Sequence, residues 1–290
     1  MTRQLLTTLL VALALIAGAV GLASAIPGAS AEPSAPNVQV LGKRITAPAT
    51  VSSSTTTTTT SSTTTTTVPH LRPGPLAQPS PTTPVTFSQT TPAIDRVPTT
   101  DKVIFLGIDD GLVRDPAVIT LLKQERVPLT LFLVRQPAVD GQAFFQEMQS
   151  VGATVQAHTI AHPQLKKLGY SDQHHQICDD VTELGTLFGT RPTLFRPPYG
   201  EWNETTRSVV GQCNLHALIL WRGATNDGRL DLIGGPDFHP GDILLMHFRT
   251  DLLQNLKLVF ARARAQGYRI GRIEDYLGVG PAHPMFTPGG

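Results

Sequence analysis

Cysteine is nearly missing from this 290-residue chain, with Cys178 and Cys213 its only two. A small fold stapled by several disulfides is therefore excluded. The pair leaves two readings open, one bridge formed in an oxidising compartment or two buried thiols. Net charge is nearly missing too, since 23 Lys and Arg face 22 Asp and Glu for a formal +1. Without a basic stripe interleaved with aromatics, nucleic acid is not an expected partner. The chain has no Gly-x-Ser-x-Gly elbow for a serine hydrolase and no Walker-type loop for a nucleotide phosphate. Between the N-terminal apolar run and residue 100, no periodic pattern could bury a core. The folding unit is accordingly placed at 101–278, long enough for one sizeable core.

The N-terminus has the form of an export signal. Arg3 supplies a positive charge, residues 5–25 are almost all apolar or small, and Ala23-Ser24-Ala25 fits a cleavage site before Ile26. The same run is also about long enough to stay in a bilayer as an uncleaved anchor. Either way the domain is expected outside the cytoplasm, secreted or held at the cell surface or wall. Residues 26–100 are rich in Pro, Ser and Thr, with threonine runs at 55–60 and 63–67. Such a segment cannot offset the entropy of folding by apolar burial, so it is expected to be a disordered spacer. Residues 279–290 are expected to form a tail.

From Lys102 the pattern alternates. Short apolar runs at 103–108, 129–134, 154–157, 193–195, 217–221, 243–246 and 268–270 are expected to be buried strands. Helical stretches at 115–125, 141–151, 172–188, 204–212 and 252–266 separate most of them. This β-α alternation predicts an α/β fold with a parallel sheet, open or closed into a barrel. In such a barrel, chemistry gathers at the C-terminal strand ends. Asp109, Asp110, His158, Arg196 and His247 all fall there.

Asp109-Asp110-Gly111 sets two carboxylates just past a buried strand. One of them could ligate a metal and the other take a proton, although Asp-Gly is also an ordinary turn. His158-Thr159-Ile160-Ala161-His162 places two imidazoles four residues apart, as on one face of a helical turn. With Asp110 they make a His-His-carboxylate set that leaves positions open for water and substrate. His174-His175 is a rival pair, read as a solvated helix face. Arg196-Pro197-Pro198-Tyr199-Gly200 is a rigid loop, able to aim a backbone N–H at an oxyanion or to pair Arg196 with a carboxylate. A stiff surface loop would look the same. His247 is either a rim residue or a general acid, oriented by Asp227 or Asp242.

Taken together, residues 102–277 resemble the polysaccharide deacetylases, the NodB-homology group of carbohydrate esterase family 4. Ile108-Asp109-Asp110-Gly111 resembles that family's first motif, His158 to His162 its second and Arg196 to Gly200 its third. The resemblance implies a distorted (β/α) barrel and a zinc-type divalent ion held by Asp110, His158 and His162. It also implies Asp109 as general base, oriented by Arg196, and the Tyr199 backbone N–H as an oxyanion donor. His247, in a Leu-x-His-like fifth motif, would be the general acid supported by Asp227. The implied reaction removes N-acetyl groups from an extracellular polysaccharide, peptidoglycan or a chitin-like chain, by a monomeric enzyme.

The chain departs from the pattern at four places. Gly107-Ile108 replaces Thr-Phe in the first motif, and Ala224 and Gly228 stand where the fourth motif has its first Asp and its Trp. Trp221 is nearby but at another position, and Phe248 follows His247 where Asp is frequent. The altered fourth motif also fits a non-catalytic glycan-binding module that keeps its metal site. Hydrolysis of a small amide or an O-acetyl ester is the third reading.

Overall fold

A computed structural model of the chain describes residues 91–280. The signal or anchor at 1–25, most of the spacer and most of the C-terminal tail lie outside the described residues. Ten strands run in the order β1 Ala93–Ile94, β2 Val103–Asp110, β3 Leu129–Leu133, β4 Ala153–Ala157, β5 Leu194–Phe195, β6 Ala217–Ile219, β7 Gly223–Asn226, β8 Arg229–Leu232, β9 Ile243–His247 and β10 Arg269–Gly271. Between and after them lie helices α1 Pro116–Glu125, α2 Arg135–Asp140, α3 Gln142–Ser150, α4 Tyr170–His174, α5 Asp180–Phe188, α6 Glu204–Gln212, α7 Leu252–Gln266 and α8 Ile273–Leu277. A π-helical turn, His175–Asp179, joins α4 to α5.

The strands form one sheet in the order β1-β6-β5-β4-β3-β2-β9-β7-β8, with β10 added to β2. Every pairing is parallel except the β7–β8 hairpin. Alternation along β2 explains the layering. Ile104, Leu106 and Ile108 join the cluster under the helices, while Phe105 belongs to a second cluster inside the curved sheet with Phe132, Leu194, Ile219 and Ile243. These expectations match the observed strands, and the fold is the distorted α/β half-barrel that the alternation and the resemblance imply.

Several elements were not anticipated. The expected spacer runs to residue 100, yet Ala93–Ile94 pairs with β6 and Arg96 bridges Asp242 just before β9. The folded domain therefore begins ahead of Asp101. This stretch lies against the start of β9, where Val97 N–H donates to the Gly241 carbonyl at 2.9 Å. Any Cβ at Gly241 would fall 1.9 Å from the Val97 carbonyl oxygen, so glycine is required there. Helix 172–188 is interrupted by the π turn, and hairpin β7–β8 and helices α2 and α8 are additional. Below the interior cluster, α8 inserts Glu274, whose carboxylate accepts from Thr130, Thr154 and Gln156 side chains at 3.0, 2.6 and 2.7 Å.

Candidate active site

The C-terminal ends of β2, β4, β5 and β9 meet at one mouth. Asp109 and Asp110 end β2, and Asp109 is in register with His247, the last residue of β9. Arg196 follows β5 and His158 follows β4. The sheet register thus brings together five residues drawn from as far apart in the chain as Asp109 and His247.

Asp109 divides its two oxygens. Its Oδ1 accepts from Arg196 Nη1 at 2.7 Å, and its Oδ2 lies 3.7 Å from His158 Nε2. Both residues of the ion pair are almost fully buried. Arg196 further donates to the Ile219 and Leu220 carbonyls and lies over the Phe132 ring, 4.2 Å from its centroid. Burial pulls the guanidinium below its ordinary pKa, and Asp109 opposes the shift. The space for this guanidinium comes from Gly107. A Cβ there would fall 2.4 Å from Arg196 Nη1. The guanidinium therefore packs against the β2 backbone at Gly107.

Asp110 faces the two histidines. Its Oδ1 lies 3.7 Å from His158 Nε2 and 3.6 Å from His162 Nε2. One ligand atom from each of the three residues falls within 4.8 Å of the others. Donors held roughly 2.0–2.2 Å from a tetrahedral zinc ion sit about 3.4 Å apart, so this set fits such an ion with little movement. His158 Nδ1 is 2.6 Å from the Arg196 carbonyl. That bond puts the proton on Nδ1 and turns the Nε2 lone pair into the site. Burial lowers the His158 pKa, partly offset by Asp109, the Arg196 carbonyl and Asp110, which favours the neutral, ligating form.

The pairing of His158 with His162 does not rest on a helix, as the spacing suggested. Thr159 and His162 adopt left-handed conformations, φ 75° and 54°, and His162 N–H donates to Thr159 Oγ1 at 3.0 Å. This tight turn brings the rings to 5.0 Å between centroids. Asp110 and Tyr199 are also left-handed, at φ 76° and 61°. Each such non-glycine residue costs about 1–3 kcal/mol, and the strain here gathers where the side chains converge. Tyr199 stands exposed, its ring 4.7 Å from that of His162.

His247 is half-buried. Burial lowers its pKa, while Asp109 and Asp110 pull the other way. Asp227 does not reach it. That residue is exposed on the β7–β8 turn, where its carboxylate accepts from Asn226 and its N–H donates to Asp251 at 2.8 Å. Next to it, Gly228 N–H donates to Asn255 Oδ1, so the turn leans on α7. Asp242, the other proposed orienter, sits at the opposite end of β9 with Arg96. Phe248 packs outward against Phe145 at 5.3 Å, away from the mouth. Trp221 borders the site, its ring facing Gly200 and 5.8 Å from the Arg196 guanidinium carbon. His175 forms an exposed pair with Asp179, as expected of a solvated face.

Sequence reasoning missed Asp180, whose Oδ2 accepts from His158 N–H at 3.1 Å. Burial raises its carboxyl well above the usual carboxylate range, opposed by the bonds from His158 and Thr159 N–H. Its signal was present. Asp180 falls on the apolar stripe of Ile177, Val181 and Leu184, where an acid is out of place. The two cysteines, left open by the sequence, form a disulfide with Cα atoms 5.2 Å apart.

Comparison with known proteins agrees with this architecture. The family profile described as polysaccharide deacetylase matches residues 96–218. An uncharacterized Streptomyces coelicolor protein is 36% identical over 64% of this chain and 77% of its own length. A peptidoglycan-N-acetylglucosamine deacetylase of Bacillus cereus is 29% identical over 50% of this chain, which spans about half of that protein (55%). A solved carbohydrate esterase family 4 pseudoenzyme from Bacillus anthracis shares the fold with a TM-score of 0.57 at 22% identity, over 64% of this chain and 69% of its own. With the profile, these relatives and the strand-end site in agreement, the chain belongs to the polysaccharide deacetylase family.

Proposed function

We propose that this domain removes N-acetyl groups from an extracellular polysaccharide of the peptidoglycan or chitin type, as a metal-dependent amide hydrolase. The division of Asp109 carries the proposal. One oxygen is fixed by a buried arginine, and the other faces the Asp110–His158–His162 cluster. A zinc-type ion held by those three residues would supply Lewis acidity to a water and to the amide carbonyl. Asp109 Oδ2 takes the proton of the attacking water. Tyr199, on its rigid left-handed loop, offers its N–H to the carbonyl oxygen as charge develops there. His247, across the strand pair from Asp109, gives a proton to the departing amine. Water and amide thus become acetate and free amine. Asp227 acts from the hairpin turn only if substrate draws that turn toward His247.

The N-terminal segment fits export, and the Thr-rich spacer fits a monomeric domain held off a membrane or within a wall. Turnover of N-acetylglucosamine oligomers by wild type and Asp109→Asn tests the reading. Wild type is expected to release acetate and the variant to bind the oligomer without turnover. The absence of Asp227 from the His247 environment favours a second reading, a glycan-binding module without catalysis. Identical binding and zero turnover in both proteins would select that reading.

A further inference from the structure

The turn that carries His158 and His162 is held by one feature outside the family motifs. The π turn His175–Asp179 and the residue after it face this loop. Asp180 Oδ2 accepts from His158 N–H at 3.1 Å, and its carboxylate also faces Thr159 N–H. The Gln176 carbonyl accepts from Ile160 N–H at 3.2 Å, and Gln176 Oε1 accepts from Ala161 N–H at 3.0 Å. Three amides of this turn, those of His158, Ile160 and Ala161, are thus bonded by two residues four apart on one helical path. The amide of His162 is satisfied within the loop by Thr159 Oγ1.

The helix irregularity has a geometric use. A π turn adds one residue to the helical path and rotates everything after it by about 100°. Here it aims Asp180 inward while Gln176 still faces the loop. Cys178, inside the same turn, is tied by its disulfide to Cys213 at the end of α6. Asp180 is fully buried, and its Oδ1 has no hydrogen-bond partner. A buried acid on an apolar stripe is costly for stability alone, so the gain must lie in what it holds.

We propose that Asp180 and Gln176 are positioning residues, a cradle that fixes the left-handed turn at Thr159 and so sets the separation of the His158 and His162 Nε2 atoms for a divalent ion. The inference rests on the metal-centre reading of the site. The cradle stabilises the ligating geometry before the ion arrives, so its removal loosens binding of the ion more than it loosens the fold.

Zinc affinity, measured on the purified chain by competition with a chromophoric chelator, tests the proposal alongside the melting temperature of the metal-free protein. Asp180→Leu keeps the branched shape and removes the acceptor, and it is expected to weaken zinc binding by about 10–100-fold, as for other outer ligand supports. Asp180→Asn retains an oxygen for both amides and is expected to stay within roughly threefold of wild type. Gln176 is only half-buried. Gln176→Ala therefore keeps the fold and is expected to lose roughly threefold or more. If Asp180→Leu does not fold, Gln176→Ala and Asp180→Asn decide between the outcomes. Wild-type affinity in a folded Asp180→Leu or in Gln176→Ala overturns the proposal, as does an Asp180→Asn as weak as Asp180→Leu. A wild-type chain that binds no zinc instead removes the metal-centre reading itself.

Discussion

Replacing Arg196 with Met leaves Asp109 buried opposite an apolar side chain. The pair is separated by 2.7 Å, with side-chain exposures of 0% and 3%. At an effective dielectric near 20, two unit charges at that distance attract by about 6 kcal/mol, most of it offset by the cost of taking both out of water. Removing one partner strands the other, which typically costs about 3–5 kcal/mol. For a domain of this size, that lowers the melting temperature by roughly 6–20 °C. Asp109→Asn strands the arginine in the same way. The double variant Arg196→Met/Asp109→Asn has no charge left to strand and recovers part of the loss. A double-mutant cycle by urea unfolding of the metal-free protein is expected to give a coupling of about 2–3 kcal/mol. Additive single effects, with coupling below about 0.5 kcal/mol, would refute the claim that the pair acts as one buried unit.

Three other outcomes follow from the same structure. Cys178→Ser/Cys213→Ser opens a bridge with a sequence separation of 35 and is expected to cost about 4 kcal/mol in chemical denaturation, by loop-closure entropy. Glu274 is fully buried and its pKa is raised by that burial, so its stabilising contribution is full below the ordinary carboxylate pKa and is lost as pH rises through the raised value. Glu274→Gln is accordingly expected to gain stability relative to wild type between acid and neutral pH, with an unchanged difference across that window as the contrary result in urea unfolding. Gly107→Val pushes a side chain into the Arg196 guanidinium, and kcat is expected to fall at least about tenfold with metal content unchanged, because a misplaced base loses alignment.

The strands most legible in the sequence were those buried on both faces. The run from Val103 to Ile108 has no polar side, and every residue from Val103 to Asp109 is buried. The β7–β8 hairpin escaped because β8, at the sheet edge, alternates exposed with half-buried residues and β7 alternates buried with half-buried or exposed ones, without a continuous apolar run. Strand β1 escaped because two residues, in a Pro- and Thr-rich context, carry no period. The ligand residues were legible because Asp110 ends one strand and His158 follows another, with His162 four residues on, and parallel register converts those positions into proximity. Their local geometry was not. The four-residue spacing of His158 and His162 suggested a helix, whereas a left-handed Thr159 and long-range bonds to Gln176 and Asp180 shape the turn. Asp227 shows the converse limit, since its place in a motif did not bring it to His247.

The central claim is that Asp110, His158 and His162 hold the ion on which deacetylation by this chain depends. Acetate release from N-acetylglucosamine oligomers, followed on one preparation as isolated, after chelation and after zinc is restored, tests it most directly. Release that disappears on chelation and returns with one equivalent of zinc is the predicted result. Release that persists unchanged in the chelated protein, with its zinc content verified as nil, would contradict it.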